Sequence, residues 1–458
     1  MRPRGDCGLR KAPPAPREPN HMALKTFRLG SRDHLSVADG KLSIDGVSCE
    51  SLAGEYGTPL YVLSENRIRQ NFRGFHKELS RRYSHVLVCP AYKANSHRAV
   101  TRIYKSEGAG AEVVSGFELR LALESAIEPG NIVFNGPVKT SEELQLAVSS
   151  GVGMISADSL GELDHLEKAA EQVGKQANVG MRINLGIRPK THPHLKTALR
   201  EQKFGIWMRD VLDAYKCAAK KAALRIVGIH CHIGSNVVQP QIFRTTAKAM
   251  LELVRRINMT LNLKIKIVDV GGGLGFSYQP NSRAMTFAAY ASAILDANLP
   301  TLRQLANPTL VFEPGRAIIA DAGLLLTRVG VAKRQGSVNW ALVDAGMNTF
   351  IRPALYQARH QVAAANKMSE RAVRKYSVGG PCCESGDVLA KDVPLPKIAE
   401  EDLLAVLDTG AYGYTMASNY NGQPRPAVVL VNDGKSELIR QRETFEDLIA
   451  GEITPPNL

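Results

Sequence analysis

One pattern constrains this chain more than any other, a short apolar run that recurs eight times. The runs lie at 86–94 (VLVCPAYKA), 110–115 (GAEVVS), 131–136 (NIVFNG), 153–158 (GMISAD), 179–185 (VGMRINL), 226–235 (IVGIHCHIGS), 267–273 (IVDVGGG) and 309–315 (TLVFEPG). Between them lie stretches of helical periodicity, such as SEELQLAVSS, SLGELDHLEKAAEQV and the run from Arg209 to Ala223. Continuous apolar strands alternating with helices imply a parallel sheet covered on both faces. Eight such units in about 230 residues fit an α/β fold of the (β/α)8 barrel type. A doubly wound open sheet is the rival.

After residue 320 the texture changes. LLLTRVGVAKR, VNWALVDAG, RKYSVGG, LLAVLDTGAY, PAVVLVND and SELIRQRE read as strands separated by turns, with PALYQARHQV the exception of helical period. The expected organisation is a disordered basic tail over 1–26, N-terminal strands over 27–51, a barrel over 52–318 and a β-rich domain, sandwich or barrel-like, over 319–458. The segment 34–48 reads as a hairpin with an Asp-Gly turn that joins the β-rich domain.

Composition narrows the function classes. The chain of 458 residues has 58 basic and 44 acidic side chains, a net +14, spread over the body. No basic run is interleaved with aromatics and no helix-turn-helix or RNA-binding signature appears, so an anionic ligand is expected rather than nucleic acid. No window approaches 18 uninterrupted apolar residues, which argues against a membrane span. Cys7, Cys49, Cys89, Cys217, Cys231, Cys382 and Cys383 form an odd, scattered set with no CxxC pair. That reads as a reduced, cytoplasmic protein without a structural metal.

In a (β/α)8 barrel, chemistry sits at the C-terminal ends of strands. Polar residues there include Lys93 and Asn95, Glu112 and Ser115, Asn135, Asp158, Arg182 and Asn184, His230, His232 and Ser235, Gly271 to Gly273, and Glu313 with Arg316. A lysine late in an apolar strand, as at Lys93, is either neutralised in a Schiff base or a strand-end side chain reaching solvent. Gly271, Gly272 and Gly273 either present backbone N–H groups to a phosphate or make a tight turn. His232 and Ser235 end the sixth run, either as core groups or as ligands. Glu313 and Arg316 either act on a ligand or pair locally. In the β-rich half, Arg352 and Tyr356 share one helix face, which suits a carboxylate or an ordinary surface helix. Cys383 beside Glu384 and Asp387 reads as a proton donor rather than a nucleophile.

Taken together, these motifs resemble the diaminopimelate decarboxylase family, of the alanine-racemase-like fold type of pyridoxal-phosphate enzymes. The resemblance runs from about Gly46 to Leu458 through Tyr92-Lys-Ala-Asn95, Lys203-Phe-Gly205, His230-Cys-His-Ile-Gly-Ser235, Asp269-Val-Gly-Gly-Gly273 and Glu313-Pro-Gly-Arg316. It continues through Asp344-Ala-Gly-Met-Asn348, Arg352-Pro-Ala-Leu-Tyr356, Cys383-Glu-Ser385, Gly410-Ala-Tyr412 and Asn419-Tyr-Asn421. It implies that Lys93 carries pyridoxal 5'-phosphate as a Schiff base, that Glu313 pairs with the pyridine nitrogen and that His232 lies against the ring. Ser235, Gly271 to Gly273, Gly315, Arg316 and Tyr412 would hold the phosphate or atoms around it. Arg316, Arg352, Tyr356 and Tyr412 would surround the substrate, with Glu384 near its distal amine. Cys383, from the partner subunit of a homodimer, would return a proton to the α-carbon. The implied reaction is meso-2,6-diaminopimelate to L-lysine and CO2. A sister decarboxylase acting on another amino acid, or on an aminoacyl group on an acidic carrier protein, is the alternative. Intact Lys93 and Cys383 argue against a non-catalytic regulator, and the Cys-Glu-Ser loop argues against a racemase. Four positions depart from the family pattern, Glu112, Phe117, Leu185 and Ala198.

Overall fold

The computed structural model describes residues 29–30, 32–187, 202–279 and 284–458. The expected tail over 1–26 and the departure at Ala198 lie outside the described residues.

Each of the eight apolar runs overlaps a strand: Val86–Val88, Ala111–Val113, Ile132–Phe134, Met154–Ala157, Ala177–Asn184, Leu224–His230, Ile267–Asp269 and Thr309–Phe312. Neighbours pair in parallel in chain order, and the last pairs with the first through Leu310↔Val86 to Phe312↔Val88. The first and second strands meet through Gly110 N–H donating to the Val88 carbonyl at 2.9 Å and Glu112 N–H to the Pro90 carbonyl at 3.2 Å. The result is a nearly closed eight-stranded parallel barrel. A short strand, Ile206–Trp207, adds to its fifth strand.

The helices between strands start where capping chemistry says they should. Ser115, Thr140 and Ser159 each accept a backbone N–H from the third residue onward, and Thr140 with Glu143 forms a capping box. One reading needs correction. Lys93 does not sit on the strand, which ends at Val88; it lies on a 3-10 turn, Tyr92–Ala94. Pairing runs on past the strand to Ala91, whose N–H donates to the Pro314 carbonyl at 3.1 Å, and the turn that follows delivers the lysine into the cavity.

The second region is a nine-stranded sheet. Five of its strands are Gly323–Gln335, Val338–Val343, Arg374–Gly379, Leu403–Leu407 and Ala427–Asn432. Val388–Leu395 also joins it, and Val362–Ala364 begins on the last residue of the run read as helical, where the helix is only Arg352–Tyr356. Leu60–Ser64, inside the segment read as barrel, pairs with Gly323–Leu326 and Ala427–Val431 instead. It thus ties the start of the barrel into the second sheet.

The hairpin Leu35–Ala38 and Lys41–Ile44 turns through Asp39 and Gly40, both at positive φ (50° and 74°). Leu42 and Ile44 pack with Leu60, Val62, Leu324 and Val429 on the second sheet. Just before the hairpin, Arg32 donates from Nε and Nη2 to both carboxylate oxygens of Asp408, at 2.9 and 2.6 Å. That clamp anchors the turn running on to Tyr412. Arg67 pairs with Asp321 beside it at 2.6 Å.

His34 sits in the same cluster. Burial lowers its imidazole to about 4, Asp321 opposing and Arg67 assisting. Its contribution to stability is therefore complete above the ordinary value of 6.5 and is lost as pH falls toward about 4. Asp408 runs the other way, since burial lifts it to about 6 against the pull of Arg32. The stability lead of the wild type over His34→Asn should accordingly shrink between pH 7 and pH 4, by about 3 kcal/mol at most. A lead that stays constant in thermal melts across that range would refute the assignment.

Candidate active site

The barrel mouth and the second sheet enclose a cavity of about 150 Å³. Lys93, His232, Ser235, Gly273, Glu313, Gly315, Arg316, Arg352, Tyr356 and Tyr412 all line it. Gly271 and Gly272 lie one step back, and Cys383 and Glu384 lie outside it on an exposed loop.

The electrostatics are organised around two carboxylates. Lys93 Nζ pairs with Glu112, which is 1% exposed, and Asn135 Nδ2 donates to Glu112 Oε1 at 3.2 Å. Asn135 also donates to Glu313 Oε1 at 2.5 Å, bridging the two acids. Burial alone would depress the Lys93 ammonium, but the charges of Glu112, Tyr412 and Glu313 outweigh it and raise it above its usual range.

Glu313 faces His230 Nε2 at 3.5 Å, and His230 Nδ1 in turn meets Ser156 Oγ at 3.1 Å. Burial opposes its ionisation, yet the facing His230 and the Lys93 ammonium hold Glu313 below the usual carboxylate range. Asp269, fully buried beside it, moves the opposite way, raised by burial and by the charge of Glu313. The two carboxyls thus shift in opposite directions, as expected of acids sharing a buried site.

His232 is kept neutral, its pKa lowered to about 3 by burial and by Arg182. Gly272 N–H donates to its Nδ1 at 3.3 Å, which leaves Nε2 carrying the proton. The glycine run therefore does two jobs, since Gly272 orients the imidazole while Gly273 lines the cavity. Their smallness is compulsory. A Cβ on Gly272 would lie 2.0 Å from the Glu313 carbonyl oxygen, and one on Gly273 2.3 Å from that of Gly234. Gly272→Ala should cost about 3 kcal/mol or more, because neither backbone can yield, and should appear as a lowered Tm. A wild-type Tm would show that the close approach is not maintained.

Arg316 Nη2 donates to Ser235 Oγ at 3.1 Å and its guanidinium lies 4.9 Å from the Tyr412 ring. Arg352, 3% exposed, lies 5.7 Å from the Tyr356 ring, on the short helix they share. Tyr412 adopts a left-handed φ of 54°, held by its N–H to the Ala94 carbonyl at 2.8 Å. A non-glycine residue in that region is strained and commonly marks a site. Gly315 leaves room for it, for a Cβ there would meet Tyr412 Oη at 3.0 Å.

The loop holding Cys383 is shaped even though its thiol lies outside this cavity. Asp387 accepts the N–H groups of Met347 at 2.6 Å and Cys382 at 2.8 Å, and Asn421 Oδ1 accepts that of Cys383 at 2.6 Å. Cys382 and Cys383 are both free thiols. Of the other departures, Leu185 is buried at the end of the fifth barrel strand and Phe117 is exposed at a helix start. Phe204, from the Lys203-Phe-Gly205 motif, packs 4.5 Å from the Arg182 guanidinium.

Sequence reasoning missed Asp269 as a partner of Glu313, and Tyr278 altogether. Tyr278 Oη accepts from Arg316 Nη1 at 2.6 Å. It follows the glycine run in a loop without periodicity, and nothing local marks it.

Barrel, cavity lysine, buried carboxylate and close-packed glycines accord with the class that the comparisons identify, a pyridoxal-dependent decarboxylase. A family model described as pyridoxal-dependent decarboxylase, pyridoxal binding domain, matches residues 65–320. The chain is 38% identical over 441 residues to the diaminopimelate decarboxylase of Methanocaldococcus jannaschii, covering 95% of this chain and 100% of that one. It is 41% identical to that of Archaeoglobus fulgidus, over 92% of this chain and 99% of the relative. A crystal structure of the M. jannaschii enzyme in complex with L-lysine superposes with a TM-score of 0.88 at 37% identity, covering 94% of this chain and 100% of that one. That of Helicobacter pylori, also with L-lysine, gives 0.82 at 34%, over 88% and 98%. This chain belongs to the diaminopimelate decarboxylase family.

Proposed function

We propose that this protein decarboxylates meso-2,6-diaminopimelate to L-lysine and CO2 with pyridoxal 5'-phosphate, as a cytoplasmic homodimer with shared sites. The observation that carries the reading is one cavity holding an amine, a buried carboxylate and two guanidiniums, Lys93, Glu313, Arg316 and Arg352. No helix among the described residues is long and apolar enough to cross a membrane.

The residues present fit the cofactor. Gly273, at φ 95° and packed against the Gly234 carbonyl, lines the cavity with backbone alone, and Lys93 is the lysine in that lining. Lys93 would hold the cofactor covalently, and Ser235, Gly273, Gly315, Arg316 and Tyr412 would take its phosphate end. Glu313, kept ionised, would hold a proton on the ring nitrogen, and neutral His232 would face the ring without adding charge. When bound, pyridoxal phosphate supplies the sink for the electron pair left by departing CO2.

The chain's own groups do the rest. Arg316, Arg352 and Tyr356 bind and orient the carboxylate that the product keeps. Cys383 delivers a proton to the α-carbon, and Glu384 receives the distal amine. Both lie outside their own cavity, which supports their action in the partner's.

Purified protein with added pyridoxal phosphate should release lysine and CO2 from meso-diaminopimelate in equal amounts. Cofactor binding without turnover would refute this substrate, and other amino acids and aminoacyl carrier proteins would then be tried.

A further inference from the structure

Both buried guanidiniums of the cavity converge on Tyr278. Its Oη accepts a short hydrogen bond from Arg316 Nη1 at 2.6 Å and a long one from Arg352 Nη2 at 3.5 Å. Its ring centre lies 5.8 Å from the Arg316 guanidinium and 5.4 Å from that of Arg352. Phe276 at 5.0 Å and His360 at 4.4 Å brace the ring. His360 adds no charge to this wall, since burial and Arg352 lower it to about 3 and its Nδ1 meets the Leu407 carbonyl at 2.9 Å.

Two like charges buried side by side repel each other and have given up hydration. Among the described residues their hydrogen-bond partners are hydroxyls, Tyr278 Oη and Ser235 Oγ, and both Nε atoms are buried without a partner. Hydroxyls orient guanidiniums without neutralising them. A pair held this way recognises an anion, and it does so best when the spacing of the two forks is fixed in advance.

The geometry points to Tyr278 as a specificity-determining residue, whose phenol spaces Arg316 and Arg352 to take the retained carboxylate of the substrate between them. The inference deepens the reading above and rests on it. Tyr278 touches the arginines rather than the reacting carbon, so it acts on affinity and selectivity and leaves the chemical step alone.

Tyr278→Phe keeps the ring and both ring–guanidinium contacts and removes Oη. The KM for meso-diaminopimelate should rise about tenfold while kcat stays within about twofold. Inhibition by L-lysine, which keeps this carboxylate, should weaken by a similar factor. Inhibition by 1,5-diaminopentane, which has none, should be unchanged, as should the visible absorbance of bound cofactor. If the wild type turns over and the variant's KM and lysine inhibition are unaltered, the role of Tyr278 is overturned while the function stands. Equal weakening for lysine and 1,5-diaminopentane also overturns it, since that marks a general disturbance of the pocket. A wild type that forms no lysine overturns both readings.

Discussion

Lys93→Ala should abolish turnover and remove the visible absorbance of bound cofactor, while the protein still folds. Lys93 is the lysine that lines the cavity, so no other amine there can take over the covalent attachment. The substitution has a second consequence that separates the chemistry from stability. It leaves Glu112, 1% exposed, without its cation, though Asn135 still donates to it. Breaking a buried pair from one side costs about 3–5 kcal/mol, and less here because the lysine side chain is 36% exposed. The variant should therefore melt several degrees low. Adding Glu112→Gln should recover most of that stability and none of the turnover. An unchanged visible spectrum in Lys93→Ala would remove Lys93 from cofactor binding.

Cys383→Ala should lower kcat by about 10²–10⁴ while cofactor binding survives, the range expected when a positioned proton donor is lost. The thiol is exposed on the loop between Arg374–Gly379 and Val388–Leu395 and does not line its own chain's cavity. If it serves a partner's cavity, Lys93→Ala and Cys383→Ala subunits should complement each other on mixing. Half of randomly formed dimers would be mixed, each with one intact site of two, giving about a quarter of wild-type activity. Inactive mixtures would refute sharing, and full activity in Cys383→Ala alone would remove the thiol from the mechanism.

Much of the molecule was legible because burial leaves a local signature. Apolar runs of strand length alternating with helical periods encode a covered parallel sheet, and polar residues ending those runs, such as His232, Ser235 and Glu313, fall at the barrel mouth by necessity.

What tertiary structure alone decided involves residues far apart in the chain. Leu60–Ser64 reads like any buried strand, and only its pairing with Gly323–Leu326 and Ala427–Val431 assigns it to the second sheet. Tyr278 has no pattern around it, and its meaning comes from Arg316 and Arg352 arriving on other elements. Asp269 and Glu313 both lie close to His230, and what separates them is that Glu313 faces its Nε2 at 3.5 Å while Asp269 accepts the Gly271 N–H at 2.8 Å. Periodicity reports how much of a side chain is buried. Which charges meet, and therefore which proton is held where, is set by distances between segments that no local pattern records.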